Sequence, residues 1–112
     1  MFSFPAESRI RQSREFVLAF RQKSVSNKWF SIYLTENSQH FAKLGMVVSK
    51  KIVAKSVARN FAKRLIREVF RLNTATLPAL NFVIRLRRQV SKKTSNEAKV
   101  ALLELMLSTY KR

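Results

Sequence analysis

Several residue types that enzymes depend on are missing or nearly missing from this chain. The 112 residues contain no cysteine, which excludes a disulfide framework, a thiolate zinc site and a thiol nucleophile. The only glycine, Gly45, cannot form a phosphate-binding P-loop or a dinucleotide-binding fingerprint by itself. The only histidine, His40, has no partner histidine or cysteine for zinc, and we interpret it as a turn residue.

Acidic residues are also scarce. All six are Glu, and they are scattered along the chain at positions 7, 15, 36, 68, 97 and 104. Paired-carboxylate hydrolysis needs two carboxyl groups in one cleft, and two-metal phosphoryl chemistry needs a cluster of carboxylates. We therefore predict no catalytic residue, no metal site and no bound cofactor in this protein. A reaction that it serves would depend on its binding something negatively charged.

Long apolar runs are absent as well. No stretch approaches the roughly 18 consecutive apolar residues of a membrane-spanning helix. The first residues contain no basic segment followed by an apolar run, as a secretion signal would. Together with the missing cysteine, these features lead us to expect a cytoplasmic protein.

Positive charge is what the chain has in excess. Its 23 Lys and Arg residues give a formal net charge of +17. So much charge on a small body repels itself unless an anion neutralises it, and nucleic acid and anionic membrane are the common anions. Hydrophobic residues make up 46% of the chain, which is enough for a core and excludes a disordered basic tail. We therefore expect one folded domain spanning residues 1–112.

The pattern of apolar residues predicts an α+β fold of order α-β-β-α-β-α, with room for one extra short strand. Phe30, Ile32 and Leu34 alternate with polar residues and should face the core. Helices packed on a small, mostly antiparallel sheet are the simplest architecture for this order. The two early strands are close enough in sequence to form a hairpin. The predicted helices span about 13–21, 56–72 and 95–109, the last opening with a capping box at 94–97, and the predicted strands span 29–35, 41–49 and 81–86.

The middle helix separates basic from apolar residues. Residues 43–71 hold nine basic residues and one Glu, and so carry +8 of the net charge. At about 100° per residue, the apolar residues from Val57 to Val69 fill one arc, and only Phe70 breaks the division. The opposite arc holds five bases and an amide: Arg59, Asn60, Lys63, Arg64, Arg67 and Arg71.

Like charges at i,i+4 on this helix cost stability, so a merely solvated surface explains them poorly. A membrane-surface helix is disfavoured because Trp and Leu do not rim the basic arc. A helix-turn-helix DNA-binding motif is disfavoured because strands, not a helix, flank this segment. Arginine forks suit phosphate oxygens, which favours an RNA-binding domain with no membrane or DNA partner.

The segment from Ala58 to Arg71 resembles the signature helix of the bacterial ribonuclease P protein subunit. In that family the helix reads Arg-Asn-Arg, two residues, Arg, and later Arg-Glu with an aromatic. The preceding residues 45–51 match the family's strand and basic corner, and residues 9–20 match its N-terminal segment. Two departures are Phe61, which stands at the third position of Arg-Asn-Arg, and the absence of a glycine from residues 52–57.

The resemblance implies a fold, a function and partners. It implies a left-handed crossover through the basic helix, although right-handed crossovers are the norm. It also implies a protein subunit of a ribonucleoprotein endoribonuclease whose active site and Mg²⁺ ions belong to a catalytic RNA. The partners implied are ribonuclease P RNA and precursor tRNA, whose 5′ leader is removed to give the mature tRNA 5′ end.

The resemblance also assigns residues. Its RNA-facing set is Lys50, Lys51, Arg59, Asn60, Lys63, Arg64 and Arg67, to which helix geometry adds Lys55 and Arg71. It implies that Phe16, Phe20 and Tyr33 line a cleft for the single-stranded leader, where aromatic rings stack on bases. From spacing alone, two phenylalanines at i,i+4 on an amphipathic helix more often belong to the core. The basic loop that follows the last strand is either a second RNA contact or a solvated loop.

A second function stays open from the sequence. A ribosomal-type structural RNA-binding protein would have the same charge and a similar basic helix. It would have no need of an aromatic cleft for single-stranded RNA.

Overall fold

The computed structural model describes residues 24–37 and 40–110. These residues form an α+β fold, as predicted, and include the extra short strand that the sequence left room for. The helix predicted over 13–21 lies outside the described residues. In chain order the elements are β1 (Ser24–Ser26), β2 (Phe30–Glu36), β3 (Lys43–Val47), α1 (Ser56–Asn73), a 3₁₀ turn (Thr74–Thr76), β4 (Leu80–Leu86) and α2 (Ser95–Tyr110).

The four strands form one sheet in the order β1-β2-β4-β3. β1 pairs with β2 and β2 with β4 in antiparallel fashion, whereas β3 and β4 are parallel, so the sheet is mostly antiparallel as predicted. The predicted hairpin between β2 and β3 is wrong, because β4 lies between them. Residues 81–84 of β4 are buried in succession on both faces of the sheet, which is typical of a central strand.

Both helices cover one face of the sheet. Phe30 and Ile32 of β2 are fully buried on this face, and Leu34 is half-buried against the same core, as predicted. From α1, the ring of Phe70 meets the ring of Phe82 edge to face, with 5.9 Å between centroids. α2 packs on β2 and on α1, which closes the core.

The connection from β3 through α1 to β4 joins two neighbouring parallel strands. The left hand of this crossover stays a prediction. A tight turn leads into α1: the carbonyl oxygen of Ser49 accepts hydrogen bonds from the amides of Ile52 (3.2 Å) and Val53 (3.0 Å). The helix ends where the Asn73 side chain donates to the carbonyl of Val69 (2.7 Å), five residues before Pro78.

α2 begins where the capping box predicted, but the box itself does not form. The Thr94 amide donates to the carbonyl of Ser91 (3.1 Å), and the Thr94 hydroxyl accepts a bond from the Ser91 amide (3.0 Å). The Glu97 carboxylate, which a capping box would aim at Thr94, instead accepts bonds from Trp29 and Lys28, which lie just before β2. Glu97 therefore bonds residues that are distant in sequence and not the start of its own helix.

Candidate nucleic-acid interface

The buried arc of α1 is rotated relative to the prediction. Its buried residues are Ala62, Leu65, Ile66, Val69 and Phe70. On the helical wheel this arc lies roughly 60° further toward Phe70 than predicted. Phe70 therefore belongs to the core, where its ring meets Phe82, and Val57, predicted to face the core, is 80% exposed.

The basic arc predicted on α1 lies on one flank of the core and on the outer side of the helix. Asn60 and Arg64 are exposed, whereas the ladder residues are half-buried at the helix flank: Arg59, Lys63, Arg67 and Arg71. The first turn of α1 contains no acidic residue. Glu68 forms no ion pair with the described residues, since the one ion pair found among them joins Lys28 and Glu97. Within residues 24–37 and 40–110, the basic residues of this face from Arg59 to Arg67 therefore have no carboxylate partner.

Arg59 contacts the backbone of the turn that precedes its own helix. Its Nη1 donates to the carbonyl of Ala54 (2.7 Å) and to that of Val53 (3.1 Å). These bonds hold residues 53–54 against the first turn of α1. Arg59, predicted as an RNA contact, thus also has a structural position at the base of the basic turn.

Three predicted RNA-binding lysines lie in this turn. Lys50, Lys51 and Lys55 are all exposed, and they precede α1 by a few residues. Ser49 holds one end of the turn and Arg59 the other. The turn therefore presents its three ammonium groups from a fixed backbone, next to Asn60 and Arg64 in the following two turns of helix.

The sheet face turned away from the helices carries the predicted cleft residue Tyr33. Tyr33 is half-buried there and packs with Val47 against Val83, which is fully buried. Phe16 and Phe20, predicted to line the same cleft, lie outside the described residues. The structure therefore places one member of the predicted aromatic set, and places it on the sheet face opposite the core.

A small pocket lies where this face meets the basic turn. It has a volume of about 180 Å³ and is lined by Ser31, by Ile52, by the end of β4 with Arg85, and by Arg87 directly after the strand. Ile52 belongs to the turn and Arg85 to the sheet, so the pocket connects the two predicted sites. Both arginines are exposed.

The basic loop after β4 has two arginines with defined contacts. The Arg87 guanidinium donates to the carbonyl of Asn27, and the Arg87 amide donates to the carbonyl of Trp29 (2.8 Å). Arg88 lies over the Trp29 ring, 5.7 Å from its centroid. The first part of the loop is therefore tied to the approach to β2, which neither interpretation of the loop foresaw.

Sequence reasoning also missed a cluster around Trp29. The indole Nε1 donates to Glu97 Oε2 (2.9 Å), and Lys28 Nζ lies 3.1 Å from the same oxygen and 5.4 Å from the ring centroid. The hydrogen bond from Lys28, followed by that from Trp29, lowers the pKa of Glu97 below its ordinary value. The only sequence signal was Glu97 at the start of α2, where it was assigned to a local cap.

The described residues contain no group of three or more His, Cys, Asp or Glu side chains close enough to hold a metal ion. Within the same part of the chain, neither helix is both long and apolar enough to cross a membrane. What the arrangement offers chemically is a set of cations and amide donors on one helix and its preceding turn. Such groups bind phosphate oxygens and the edges of bases.

Comparisons with known proteins point in one direction. A family model described as "Ribonuclease P" matches residues 4–110. A ribonuclease P protein component from Chromobacterium violaceum is 34% identical over 93% of this chain and 87% of its own length. One from Thermotoga maritima is 32% identical over 98% of this chain and 95% of its own length.

Solved structures agree with the sequence relatives. The RNase P protein of Staphylococcus aureus superposes with a TM-score of 0.84 at 27% identity, over 92% of this chain and 95% of that chain. The RNase P protein of Thermotoga maritima superposes with a TM-score of 0.71 at 34% identity, over 93% of this chain and 96% of that one. The likeness extends over nearly the whole of both chains.

Proposed function

Because this chain belongs to the ribonuclease P protein family, as the protein component of a ribonucleoprotein endoribonuclease, we propose that it supports a reaction whose active site lies in the RNA. One observation carries the proposal: the basic residues of α1 from Arg59 to Arg67, which pair with no carboxylate of the described residues, continue into the lysine turn before the helix. This surface is built to neutralise phosphates. None of its side chains is a general base, a nucleophile or a metal-ligating carboxylate.

Each basic residue contacts the RNA according to its position on the turn or on the helix. Lys50, Lys51 and Lys55 meet the RNA backbone from the turn, and the arginines and Lys63 meet it from the helix. Arg64, exposed at the outer edge of α1, is placed for a bidentate contact with one phosphate. Asn60 beside it both donates and accepts, so it can orient a neighbouring arginine or a water against the RNA.

Precursor tRNA is the substrate in this proposal, and its single-stranded 5′ leader lies on the sheet face that carries Tyr33. An aromatic ring beside cations suits a single strand, because stacking contributes roughly 1–3 kcal/mol per base whatever the sequence. Tyr33 supplies such a ring, and the pocket at Arg85 and Arg87 supplies the cations at one end of that face. Phe16 and Phe20 complete the proposed cleft.

Mg²⁺ belongs to the RNA-containing holoenzyme in this proposal, and the described residues do not fit a magnesium site of the protein's own. The ion would supply charge stabilisation and an activated water at the cleaved phosphodiester. The residues of this chain act before that step, by screening phosphate repulsion where RNA strands approach one another. We expect the complex to assemble in the cytoplasm, where tRNA precursors are made.

Reconstitution tests this function. The purified protein alone should not cleave precursor tRNA. Added to a bacterial ribonuclease P RNA at low magnesium concentration, it should raise the rate of 5′ leader removal, because its cations replace part of the screening that magnesium gives at high concentration. A protein that cleaves alone, or that leaves the RNA's rate unchanged at every magnesium concentration, would refute the proposal. A precursor with a single-nucleotide leader, which can still be cleaved, separates RNA support from leader binding, since only the former would persist.

A further inference from the structure

Three apolar side chains lie on the flank of α1 opposite the basic ladder. Val57 is 80% exposed and Leu72 54% exposed, and Phe61 between them is half-buried. Phe61 packs against the core as one of its partly buried neighbours. It stands where the resembling motif carries an arginine, so an apolar ring replaces a cation in the middle of a basic helix.

Phe61 has one apolar neighbour on the helix surface and, on its other side, a cationic and a polar one. Val57 lies one turn before it and Arg64 one turn after it, at the i−4 and i+3 positions that place side chains roughly 5–6 Å apart on a helix. Asn60 is adjacent and exposed. The nearest Glu on α1, Glu68, is about two turns away. The aromatic ring, the guanidinium beside it and the adjacent amide match the three parts of a nucleotide. The ring matches the apolar face of the base, the guanidinium the charged phosphate, and the amide the polar edge of the base.

We propose that Phe61 and Val57 form a stacking site for an unpaired base of the RNA partner, with Arg64 binding that nucleotide's phosphate. The proposal rests on the proposed function, since it needs an RNA that covers α1. Charge complementarity selects RNA over a protein partner: residues 43–71 carry a net charge of +8, and the first turn of α1 has no acidic residue. The ring thereby replaces an ionic contact by stacking.

This exchange has a measurable signature. A cation on phosphate releases counterions, so its contribution to affinity falls as salt rises, by about 0.7–0.9 in the log–log slope per phosphate. Stacking releases none. Removing the aromatic face of Phe61 should therefore weaken RNA binding by a similar factor at every salt concentration, about tenfold on the usual scale of base–aromatic stacking.

Phe61→Leu is the decisive variant, because leucine keeps an apolar side chain against the core while losing the aromatic face. We expect its thermal midpoint to stay within a few degrees of the wild type. Its dissociation constant for a ribonuclease P RNA transcript should rise about tenfold, with the salt slope unchanged. Phe61→Trp should bind at least as well as the wild type. Leu72→Ala, an exposed apolar change three turns away, is the matched control and should bind normally.

Phe61→Arg is the second variant and should steepen the salt slope by about 0.7–0.9, because it restores an ionic contact. Equal binding by Phe61→Leu and the wild type would overturn the stacking site while leaving the proposed function intact. A Phe61→Leu variant whose loss of affinity changes with salt would also overturn it. If the wild type fails to bind the RNA at all, both the stacking site and the proposed function fall.

Discussion

Arg59 and Arg64 are both arginines of the predicted RNA-facing set, yet they have different surroundings. Arg64 is exposed and makes no hydrogen bond to any described residue, whereas Arg59 donates to the carbonyls of Val53 and Ala54. Position on the helical wheel could not distinguish them, because the bonds of Arg59 depend on how the preceding turn folds back. Arg64 is therefore available to bind RNA, whereas Arg59 holds the preceding turn in position.

Arg64→Ala should remove one phosphate contact and nothing else. We expect the log–log salt slope of RNA affinity to become shallower by about 0.7–0.9, with the free energy of unfolding changed by less than about 0.5 kcal/mol. Arg59→Ala should lower the free energy of unfolding by about 1–2 kcal/mol, because two hydrogen bonds from a charged donor are lost. It should also reduce the slope by more than one contact, because the turn that presents Lys50 and Lys51 loses its anchor.

Filter binding across a salt series and urea unfolding measure these effects. The double variant Arg59→Ala/Lys51→Ala should lose less affinity than the sum of its single variants, since the first change already displaces the lysine. Arg64→Ala/Lys51→Ala is the matched control and should be additive. If Arg59→Ala and Lys51→Ala prove additive, Arg59 is an independent phosphate contact and not a positioning residue.

Among the elements, α2 depends on a contact with β2 that no local pattern encodes. The Asn27 side chain accepts bonds from the amides of Trp29 (2.9 Å) and Phe30 (2.8 Å) and donates to the carbonyl of Ala101 in α2 (3.0 Å). Glu97 adds the bonds from Trp29 and Lys28. The start of β2 and the first two turns of α2 are thus joined by one polar cluster.

This cluster should make the protein sensitive to acid. The pKa of Glu97 is lowered from an ordinary 4.5 by its bonds to Lys28 and Trp29. Its contribution to stability is therefore complete above the ordinary Glu value and is lost as the pH falls through the lowered folded value. Trp29 is the only tryptophan, so its fluorescence should report a step below pH 4.5.

Glu97→Gln should abolish that fluorescence step and lower the thermal midpoint at pH 7 by no more than about 5 °C, because the pair is exposed. Glu104→Gln, two turns further along α2, is the matched control and should keep the step. A fluorescence step that survives Glu97→Gln would show that another group controls Trp29.

The elements also show what sequence reasoning can and cannot reach. The bounds of α1 could be predicted to within one residue, because apolar spacing, a preceding turn and a following Pro78 are all local signals. The hairpin of β2 and β3 was wrong because strand order is a property of the whole sheet, and only the assembled sheet shows that β4 lies between them. Phe70 was misplaced on the helical wheel because its burial depends on how α1 lies on the sheet, where its ring meets Phe82. The Trp29–Glu97 contact joins residues 68 positions apart, which no periodicity predicts.

Over the whole molecule, the placement of charge decides how many phosphates the protein can bind. The chain has 23 basic residues, but the described ones are dispersed from Lys28, before β2, over β3, the turn before α1, α1 itself, β4, the loop after it and α2. Lys28, Arg87 and Arg88 have partners around Trp29. One RNA surface cannot reach all of these positions, so a defined interface should use only a fraction of the total charge.

Affinity for a ribonuclease P RNA transcript should therefore fall with salt at a log–log slope near −4 to −5, which corresponds to about six neutralised phosphates at 0.7–0.9 each. A protein acting as a diffuse polycation would use most of its bases and give a slope steeper than about −10. Lys50→Ala/Lys51→Ala should flatten the measured slope by about 1.5, because both side chains belong to the interface. Lys99→Ala, a change on α2 outside the basic surface, should leave the slope unchanged. If Lys99→Ala flattens it as much per charge as the turn lysines do, the RNA senses the net charge of the protein, and the surface formed by α1 and its turn has no special role.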